Sequence, residues 1–460
     1  MQCGFGRADI TPQSPITLSG FVARCNAPFE KVRDPLQVSV LYLEEQGVGA
    51  LLVVYDLLGI GPELLARLHA AVDLRWGTLI PTGRRIFCCT HNHSGPATVT
   101  LLGCGRVDLD YWEFLVNRTV EAVAQAVEGR IEARFGYDRF TVAGLNYNRR
   151  KILDDGAVVM TQFPDKPVIR EGPAWNDFLF IRAETLTGQP IAGIINWAAH
   201  ACTVCSRDVT ADFPGELVRR LEQRDGFPFL YLQGACGNVN LPFHDMSYAE
   251  MQGNVDKMMR KLPIPQWKPT GPGLNILSDT TSLAYPTGTS RDQLEVIRDG
   301  MSRIADTGAG QRDHIAVLAN ILNVPPDATP DPVMLRYIAG TLREWSEVLL
   351  ARSPTSDVKD YPLTVSVILL GEVTLVFVAA ELFTETARKI IDLVPSRITG
   401  IVGYASPLVG YIPTDAALEE GGYEVEHAYR FYGHPAAYAP GSEARLIRTV
   451  SALVGSRIEI

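Results

Sequence analysis

The feature that most constrains the fold is a series of short, almost wholly apolar segments with the composition of buried β-strands. They are LQVSVLYLEE (36–45), GALLVVYDLLGI (49–60), RRIFCCTHNH (84–93), IAGIINWAAH (191–200), FPFLYLQGACGN (227–238), TVSVILLGEVTLVFVAAE (364–381) and RITGIVGYAS (397–406). Strands this apolar are covered on both faces, which is typical of sheets enclosed by helices. Between them, residues 62–76, 110–129 and 215–224 carry apolar side chains at helical spacing. We therefore predict an α/β fold with a mixed, largely buried sheet flanked by helices.

The domain organisation follows from where this pattern is interrupted. Strand-type segments and polar site candidates continue until about residue 434, which predicts one α/β domain over residues 1–460. Residues 260–290 are rich in Pro, Gly and Thr, and the following residues, to 352, have a charged helical pattern. We place a loop-rich and helical insertion at about 260–352.

Charge and targeting signals exclude several classes of partner. With 42 basic and 52 acidic side chains the net charge is −10, which argues against nucleic acid and against a polybasic membrane patch. No segment approaches the roughly 20 apolar residues of a spanning helix, so no stable membrane insertion is expected. The N-terminal MQCGFGRADITP lacks the pattern of a signal peptide, which predicts a cytoplasmic protein, although a processed secreted form would have the same sequence.

Polar groups follow several of the apolar segments at the point where each ends. These groups are His91 and His93, His200, Gln233 through Asn240, and Glu381. In open α/β sheets, ligands bind beyond the carboxyl ends of the strands. Imidazole and carboxylate suit Zn²⁺, and a catalytic zinc has about three protein ligands and one open position. Alternate strand residues share a face, so His91 and His93 are expected to point into one cavity.

The segment THNHSGP (90–96) resembles the T-H-x-H-S-G-P motif of the neutral/alkaline ceramidases, zinc amidases that cleave the N-acyl bond of ceramide. Further segments resemble that family in the same order: GFGRADITP (4–12), SGF (19–21), NYNRRK (146–151), INWAAHACTV (195–204), TADFPGEL (210–217), LQGACGNVN (232–240), AAELFTETA (379–387) and GGYEVEHAYRFYG (421–433). The resemblance implies a ceramidase-like catalytic domain. Because the chain ends at residue 460, it also implies a short member without the C-terminal immunoglobulin-like domain.

The resemblance also implies the roles of individual residues. It implies as zinc ligands His91, His200, Glu381 and, more weakly, Tyr423. It implies as catalytic groups His93, Asn240 and Tyr432, with His93 acting as an acid–base or oxyanion group. It places on the substrate side Arg149, Asn148 and Asn238.

One motif departs from the family pattern. The family's glycine-rich turn reads G-D-V-S-P, whereas this chain has GNVNL, with Asn238 in place of aspartate and Asn240 in place of serine. An amide nitrogen cannot be activated as a nucleophile in the way a hydroxyl can. We expect Asn240 to donate a hydrogen bond to a developing oxyanion instead.

The sequence therefore predicts a zinc-dependent hydrolase that cleaves an amide (N-acyl) bond of a small-molecule substrate by attack of metal-bound water. The main alternative is a zinc hydrolase of an ester, lactone or glycosidic bond in a small polar substrate. A non-catalytic binding protein on the same scaffold is the third interpretation. Zinc stoichiometry and chelator-sensitive release of amine distinguish them.

Overall fold

The computed structural model describes residues 1–242, 246–286, 289–321, 331–352, 360–394 and 397–455. Its strands are β1 (Gln2–Asp9), β2 (Lys31–Val32), β3 (Gln37–Glu45), β4 (Val48–Tyr55), β5 (Arg85–Cys89), β6 (Ile131–Thr141), β7 (Tyr147–Asn148), β8 (Arg150–Leu153), β9 (Val158–Met160), β10 (Val168–Glu171), β11 (Asp177–Thr185), β12 (Pro190–Trp197), β13 (Asp208–Val209), β14 (Phe229–Gln233), β15 (Val239–Asn240), β16 (Lys268–Pro269), β17 (Leu274–Ala284), β18 (Asp360–Leu370), β19 (Val373–Val378), β20 (Glu381–Leu382), β21 (Ile398–Val402) and β22 (Tyr411–Ile412). Its α-helices are α1 (Pro62–Trp76), α2 (Leu109–Glu128), α3 (Asp212–Asp225), α4 (Tyr248–Lys261), α5 (Arg291–Thr307), α6 (Arg312–Ile321), α7 (Pro332–Ala351), α8 (Thr384–Asp392), α9 (Asp415–Glu420), α10 (Tyr423–Glu426), α11 (Ala428–Phe431) and α12 (Ser442–Gly455).

The largest sheet is mixed, as the sequence predicts. Its strand order is β14-β12-β11-β6-β1-β3-β4-β5, with β16 paired to β6. The outermost pairs, β14 with β12 and β4 with β5, are parallel, whereas the pairs between them are antiparallel. The parallel pairs carry the buried segments that end in polar groups.

Both faces of this sheet are covered, which explains why its strands are so apolar. Val40 and Val53 belong to a buried cluster that includes residues of α1 and α2. Their chain neighbours Leu41 and Leu52 belong to a second cluster, which contains the inner residues of the smaller sheet. Alternate residues thus point to helices on one side and to a sheet on the other.

The smaller sheet has the order β17-β18-β19-β21. Strand β17 lies within residues 260–290, where the Pro, Gly and Thr content predicts loops, and it pairs with β18 along its whole length. Its centre, Ser278–Thr280, is exposed and polar, and prolines and glycines flank it. The strand therefore lacks the alternation of a half-buried strand, which is why the sequence pattern did not reveal it.

The helices agree closely with the sequence pattern. The predicted helix at 62–76 is α1 with the same bounds, and the charged helical stretch before residue 352 contains α5, α6 and α7. Among the residues described above, no helix combines the length and apolar character needed to cross a bilayer.

The carboxyl ends of three strands meet at one place. The Gln233 side chain at the end of β14 donates to the Thr90 carbonyl (2.9 Å), just after β5. It also donates to the Ala199 carbonyl (2.8 Å), just after β12. One buried amide thereby ties together the segments that carry His91, His93 and His200.

Candidate metal centre and active site

The two histidines of THNHSGP lie on a turn and not on a strand. Strand β5 ends at Cys89, and His91 has a φ of 60°, in the left-handed region that residues with side chains rarely adopt. The turn is held by hydrogen bonds from Thr90 N to Tyr55 O (2.9 Å) and from Asn92 N to Leu57 O (3.1 Å). The prediction that strand alternation brings the two imidazoles together is therefore wrong.

Three histidine side chains nevertheless converge. The Nε2 atom of His91 lies 3.0 Å from Nε2 of His200 and 3.1 Å from Nε2 of His93. The three residues offer ligand atoms that all lie within 4.8 Å of one another, a grouping that could hold a metal ion.

Backbone carbonyls orient the three imidazoles. The Nδ1 atom of His91 lies 2.9 Å from Leu58 O, that of His93 lies 3.2 Å from Gly20 O, and that of His200 lies 3.0 Å from Cys236 O. A carbonyl oxygen can only accept, so each Nδ1 carries the proton and each Nε2 presents a lone pair. Three lone pairs thus face one another.

Glu381, at the start of β20, adds a carboxylate to the cluster. Its Oε2 atom lies 3.2 Å from His91 Nε2 and 3.8 Å from His200 Nε2. Its other oxygen, Oε1, accepts a short hydrogen bond from the Tyr432 hydroxyl. Oε2 is buried and has no hydrogen-bond partner among the described residues, which normally destabilises a carboxylate strongly.

This donor set fits a divalent cation. A tetrahedral zinc ion with bonds of about 2.0–2.1 Å has its ligand atoms about 3.3 Å apart. The distances from His91 Nε2 to its three neighbours are 3.0, 3.1 and 3.2 Å. A cation at the centre would give each lone pair, and the carboxylate oxygen that lacks a hydrogen bond, a favourable partner.

Burial keeps the imidazoles of His93 and His200 neutral. It lowers the pKa of His93 and of His200 well below the usual 6.5, and the nearby His91 lowers both further. Neutral imidazole is the form that binds metal ions. His93 is also partly accessible, whereas His91 and His200 are buried.

The charged guanidinium of Arg149 lies next to the histidine cluster. Its guanidinium donates to Glu424 Oε1 (3.0 Å), to the Tyr411 hydroxyl (3.0 Å) and to Asn240 Oδ1 (3.4 Å). Asn240 forms an isolated bridge with His200. The structure therefore brings Arg149 and Asn240, both named from the sequence, to the edge of the histidine cluster.

Asn148 and Asn238 are held in a different way. Asn238 donates to Glu385 Oε2 (2.7 Å) and accepts from Thr384 N (3.0 Å). Asn148 donates to Glu385 Oε1 (3.4 Å) and accepts from Arg150 N (3.0 Å). Both amides are fully buried. They join β7, the glycine-rich turn and the start of α8 around one carboxylate.

The two tyrosines named from the sequence take different places. Tyr432 contacts Glu381 directly, as described above. Tyr423 packs edge-on against the ring of Tyr411, with a centroid separation of 6.3 Å. Burial raises the pKa of the Tyr423 hydroxyl well above its usual value, so the group is neutral at pH 7.

Several residues that shape the site were missed from the sequence. Gly20 supplies the carbonyl that orients His93, and the ring of Tyr404 stacks on that of His91 with centroids 4.0 Å apart. Glu424 pairs with Arg149 from a position 275 residues away in the chain. Gly20, within SGF, and Glu424, within GGYEVEHAYRFYG, lie in segments that the motifs had marked, whereas Tyr404 does not.

Comparison with known proteins establishes first the class of fold. The architecture is that of the neutral ceramidase catalytic domain, as the motif resemblance implied. The crystal structure of neutral ceramidase from Pseudomonas aeruginosa matches with a TM-score of 0.66 and 14% identity, over 100% of this chain and 75% of that chain. A ceramidase structure complexed with C2 matches with a TM-score of 0.65 and 14% identity, over 98% of this chain and 74% of that chain.

The sequence itself has no comparable match. No family model matches this chain, and no curated protein sequence matches it. At 14% identity, the two solved structures establish the fold alone.

Proposed function

We propose that this protein is a zinc-dependent hydrolase of an amide (N-acyl) bond, related to the ceramidases. The observation that carries the proposal is the convergence of three imidazole lone pairs and one carboxylate oxygen without a hydrogen bond. The ceramidase fold supports the choice of an amide as the scissile bond.

The residues that would hold the ion are His91, His200 and Glu381, and the Nε2 of His93 faces the same point. Nitrogen and oxygen donors of this kind match zinc. Polarisation of a substrate carbonyl and a lowered pKa of water are the chemistry that zinc supplies when it is bound.

The chain's own residues then divide the remaining work. His93 is neutral and partly accessible, so its Nε2 can take up a proton and pass it to the leaving amine. Tyr432, by donating to Oε1 of Glu381, turns Oε2 of that carboxylate towards the histidines.

The substrate side is polar close to the cluster. Arg149 holds Oδ1 of Asn240, which directs the amide's donor group away from the guanidinium. We assign to Asn240 a hydrogen bond to the developing oxyanion, a type of interaction worth about 3 kcal/mol. Asn148 and Asn238 hold the neighbouring segments in place by donating hydrogen bonds to Glu385.

The proposal is tested by metal analysis and a substrate panel on the purified protein. We expect about one equivalent of zinc for each chain. We also expect amine release from N-acyl substrates, including ceramide and short polar N-acyl amines, that stops on chelation and returns with Zn²⁺. His69→Gln is the matched control because His69 lies on α1 against Phe87, away from the cluster.

Two outcomes would overturn the proposal. Turnover of esters, lactones or glycosides but not of any amide would favour the zinc hydrolase of another bond. Absence of zinc together with absence of turnover would leave only a binding role.

A further inference from the structure

Arg24 is a buried arginine whose hydrogen-bonding capacity is fully used. It ends the 3₁₀ turn Val22–Arg24, and only 5% of it is exposed. Its five N–H groups match five acceptors, which are Ser19 O, His93 O, Ser94 Oγ, Val204 O and Ser206 O. All five acceptors are neutral.

These acceptors belong to three separate segments that meet beside the histidine cluster. One precedes Arg24, one contains His93, and one follows His200. Among the described residues, no carboxylate forms an ion pair with Arg24. Since a buried guanidinium without a carboxylate is costly, packing alone does not explain its presence.

Arg24 acts on both sides of the His93 imidazole. It donates to the His93 carbonyl, which fixes the backbone, and to the Ser19 carbonyl. The next residue, Gly20, supplies the carbonyl that accepts from His93 Nδ1 (3.2 Å). The same guanidinium therefore holds both the histidine and the group that sets its tautomer.

The fit around His93 is close. Gly20 has a φ of 98°, and a Cβ atom there would lie 2.4 Å from His93 Nδ1. Phe21 packs edge-on against the His93 ring (5.2 Å between centroids), and the guanidinium of Arg24 lies 4.7 Å from the centre of the Phe21 ring. The imidazole is thus bounded by a carbonyl and an aromatic ring, both anchored on Arg24.

We propose that Arg24 is a positioning residue, which fixes the orientation and tautomer of His93 so that its Nε2 points at the metal-binding cluster. The proton-transfer role of His93 rests on the proposed function, whereas its orientation by Arg24 does not. The fork of five directed donors is the essential property, and a lysine cannot reproduce it.

The direct test is an NMR spectrum of the imidazole ¹³Cε1–¹Hε1 groups in the purified protein, which has eight histidines. The His93 signal is assigned from its loss in His93→Gln. In Arg24→Lys and in Arg24→Met we expect this signal to move, while that of His69, on α1 against Phe87, stays in place.

A matched control separates positioning from general stability. The side chain of Arg85 is also fully buried and donates to Ile80 O, His69 O and Asp73. We expect Arg85→Met to lower the melting temperature as Arg24→Met does, without moving the His93 signal. An unmoved His93 signal in Arg24→Met would reduce Arg24 to a structural brace and overturn the proposal.

Turnover of whichever N-acyl amide the panel identifies gives a second readout. A misplaced His93 should lower kcat by about 10²-fold in Arg24→Lys with KM changed by less than about threefold, because binding is retained while proton transfer is not. Wild-type kcat in Arg24→Lys would contradict the need for the guanidinium fork. Absence of amide turnover in every variant would refute the proposed function but leave the NMR result to decide on Arg24.

Discussion

Two buried carboxylates near the site have opposite surroundings. Glu424 accepts from Arg149 Nε (3.0 Å) and from Arg150 Nη1 (2.7 Å), so each of its oxygens faces a fixed positive charge. Glu381 is equally buried, but its Oε2 faces imidazole lone pairs. The protein supplies two cationic partners for Glu424, whereas Glu381 lies among neutral donors that could hold a metal ion. The ion pairs of Glu424 hold Arg149 and Arg150 in place, whereas the surroundings of Glu381 can bind an ion.

The pKa of Glu424 shows the strength of its ion pairs. Burial raises the pKa of this carboxyl, but Arg149 and Arg150 more than offset the rise and bring it below the usual 4.5. The ion pairs therefore stabilise the fold above about pH 4.5, and that contribution is lost as the pH falls through the lowered pKa.

The largest expected effect concerns the group of donors around Glu381. His200→Ala removes one Nε2 donor, so we expect zinc content to fall to background and turnover to fall about 10³-fold or more. Metal analysis and initial rates on the same preparation measure both, with His69→Gln as the control. Full zinc and full activity in His200→Ala would remove the distinction between the two carboxylates.

The next largest effect concerns the ion pairs of Glu424 with Arg149 and Arg150. Among the described residues, Glu424→Gln leaves the buried guanidinium of Arg149 without a carboxylate and that of Arg150 with only Glu420 (3.3 Å). This should destabilise the protein by about 3–5 kcal/mol. Urea unfolding measures this difference.

Asp155→Asn breaks the ion pair with Lys166, whose two side chains are 43% and 58% exposed. It should have a far smaller effect on stability, because water solvates both charges. Equal effects of the two substitutions would contradict the importance of burial.

A third carboxylate, Asp56, extends the comparison. Among the described residues it has neither an ion pair with an arginine nor imidazoles facing it. Burial raises its pKa from 3.8 to about 7, and Gln37 N donates to its Oδ2 (2.9 Å). The unfolded chain releases this proton near pH 3.8 and the folded chain near pH 7. The free energy of unfolding should therefore fall as the pH rises between those values, by about 4 kcal/mol.

Asp56→Asn provides the check. The amide mimics the protonated carboxyl, so urea unfolding at pH 5 and pH 8 should show a smaller loss of stability than in the wild type. A wild-type pH dependence in Asp56→Asn would show that another group titrates.

The smallest expected effect has the opposite sign. In metal-free protein, Glu381→Gln replaces a carboxylate oxygen that faces lone pairs with an amide that can donate to one of them. We expect the metal-free variant to be more stable than metal-free wild type by about 1 kcal/mol. Denaturation after exhaustive chelation measures it, and a destabilised variant would show that Oε2 already has a partner.

Much of the candidate site could be predicted because its histidines and its glycine-rich turn follow apolar strands. The ends of β5, β12 and β14 are readable as buried segments that stop at His91, His200 and the glycine-rich turn. The turn at His91 could not be predicted, because no sequence pattern marks a φ of 60° at a residue other than glycine.

Long-range partners were also beyond the sequence. The pairing of Arg149 with Glu424 joins residues 275 positions apart, and neither residue has a local pattern that names the other. Arg24 likewise looks like an ordinary surface arginine in the sequence, because its acceptors are mostly backbone carbonyls. Such contacts depend on the packing of whole segments.

X-ray absorption at the zinc edge, on the protein loaded with one equivalent of Zn²⁺, tests the central claim most directly. We predict a coordination shell of nitrogen and oxygen atoms at about 2.0–2.1 Å, with the scattering pattern of at least two imidazoles. His200→Ala should lose it. A shell with sulfur at about 2.3 Å, or no ordered shell at all, would contradict a centre built from His91, His200 and Glu381.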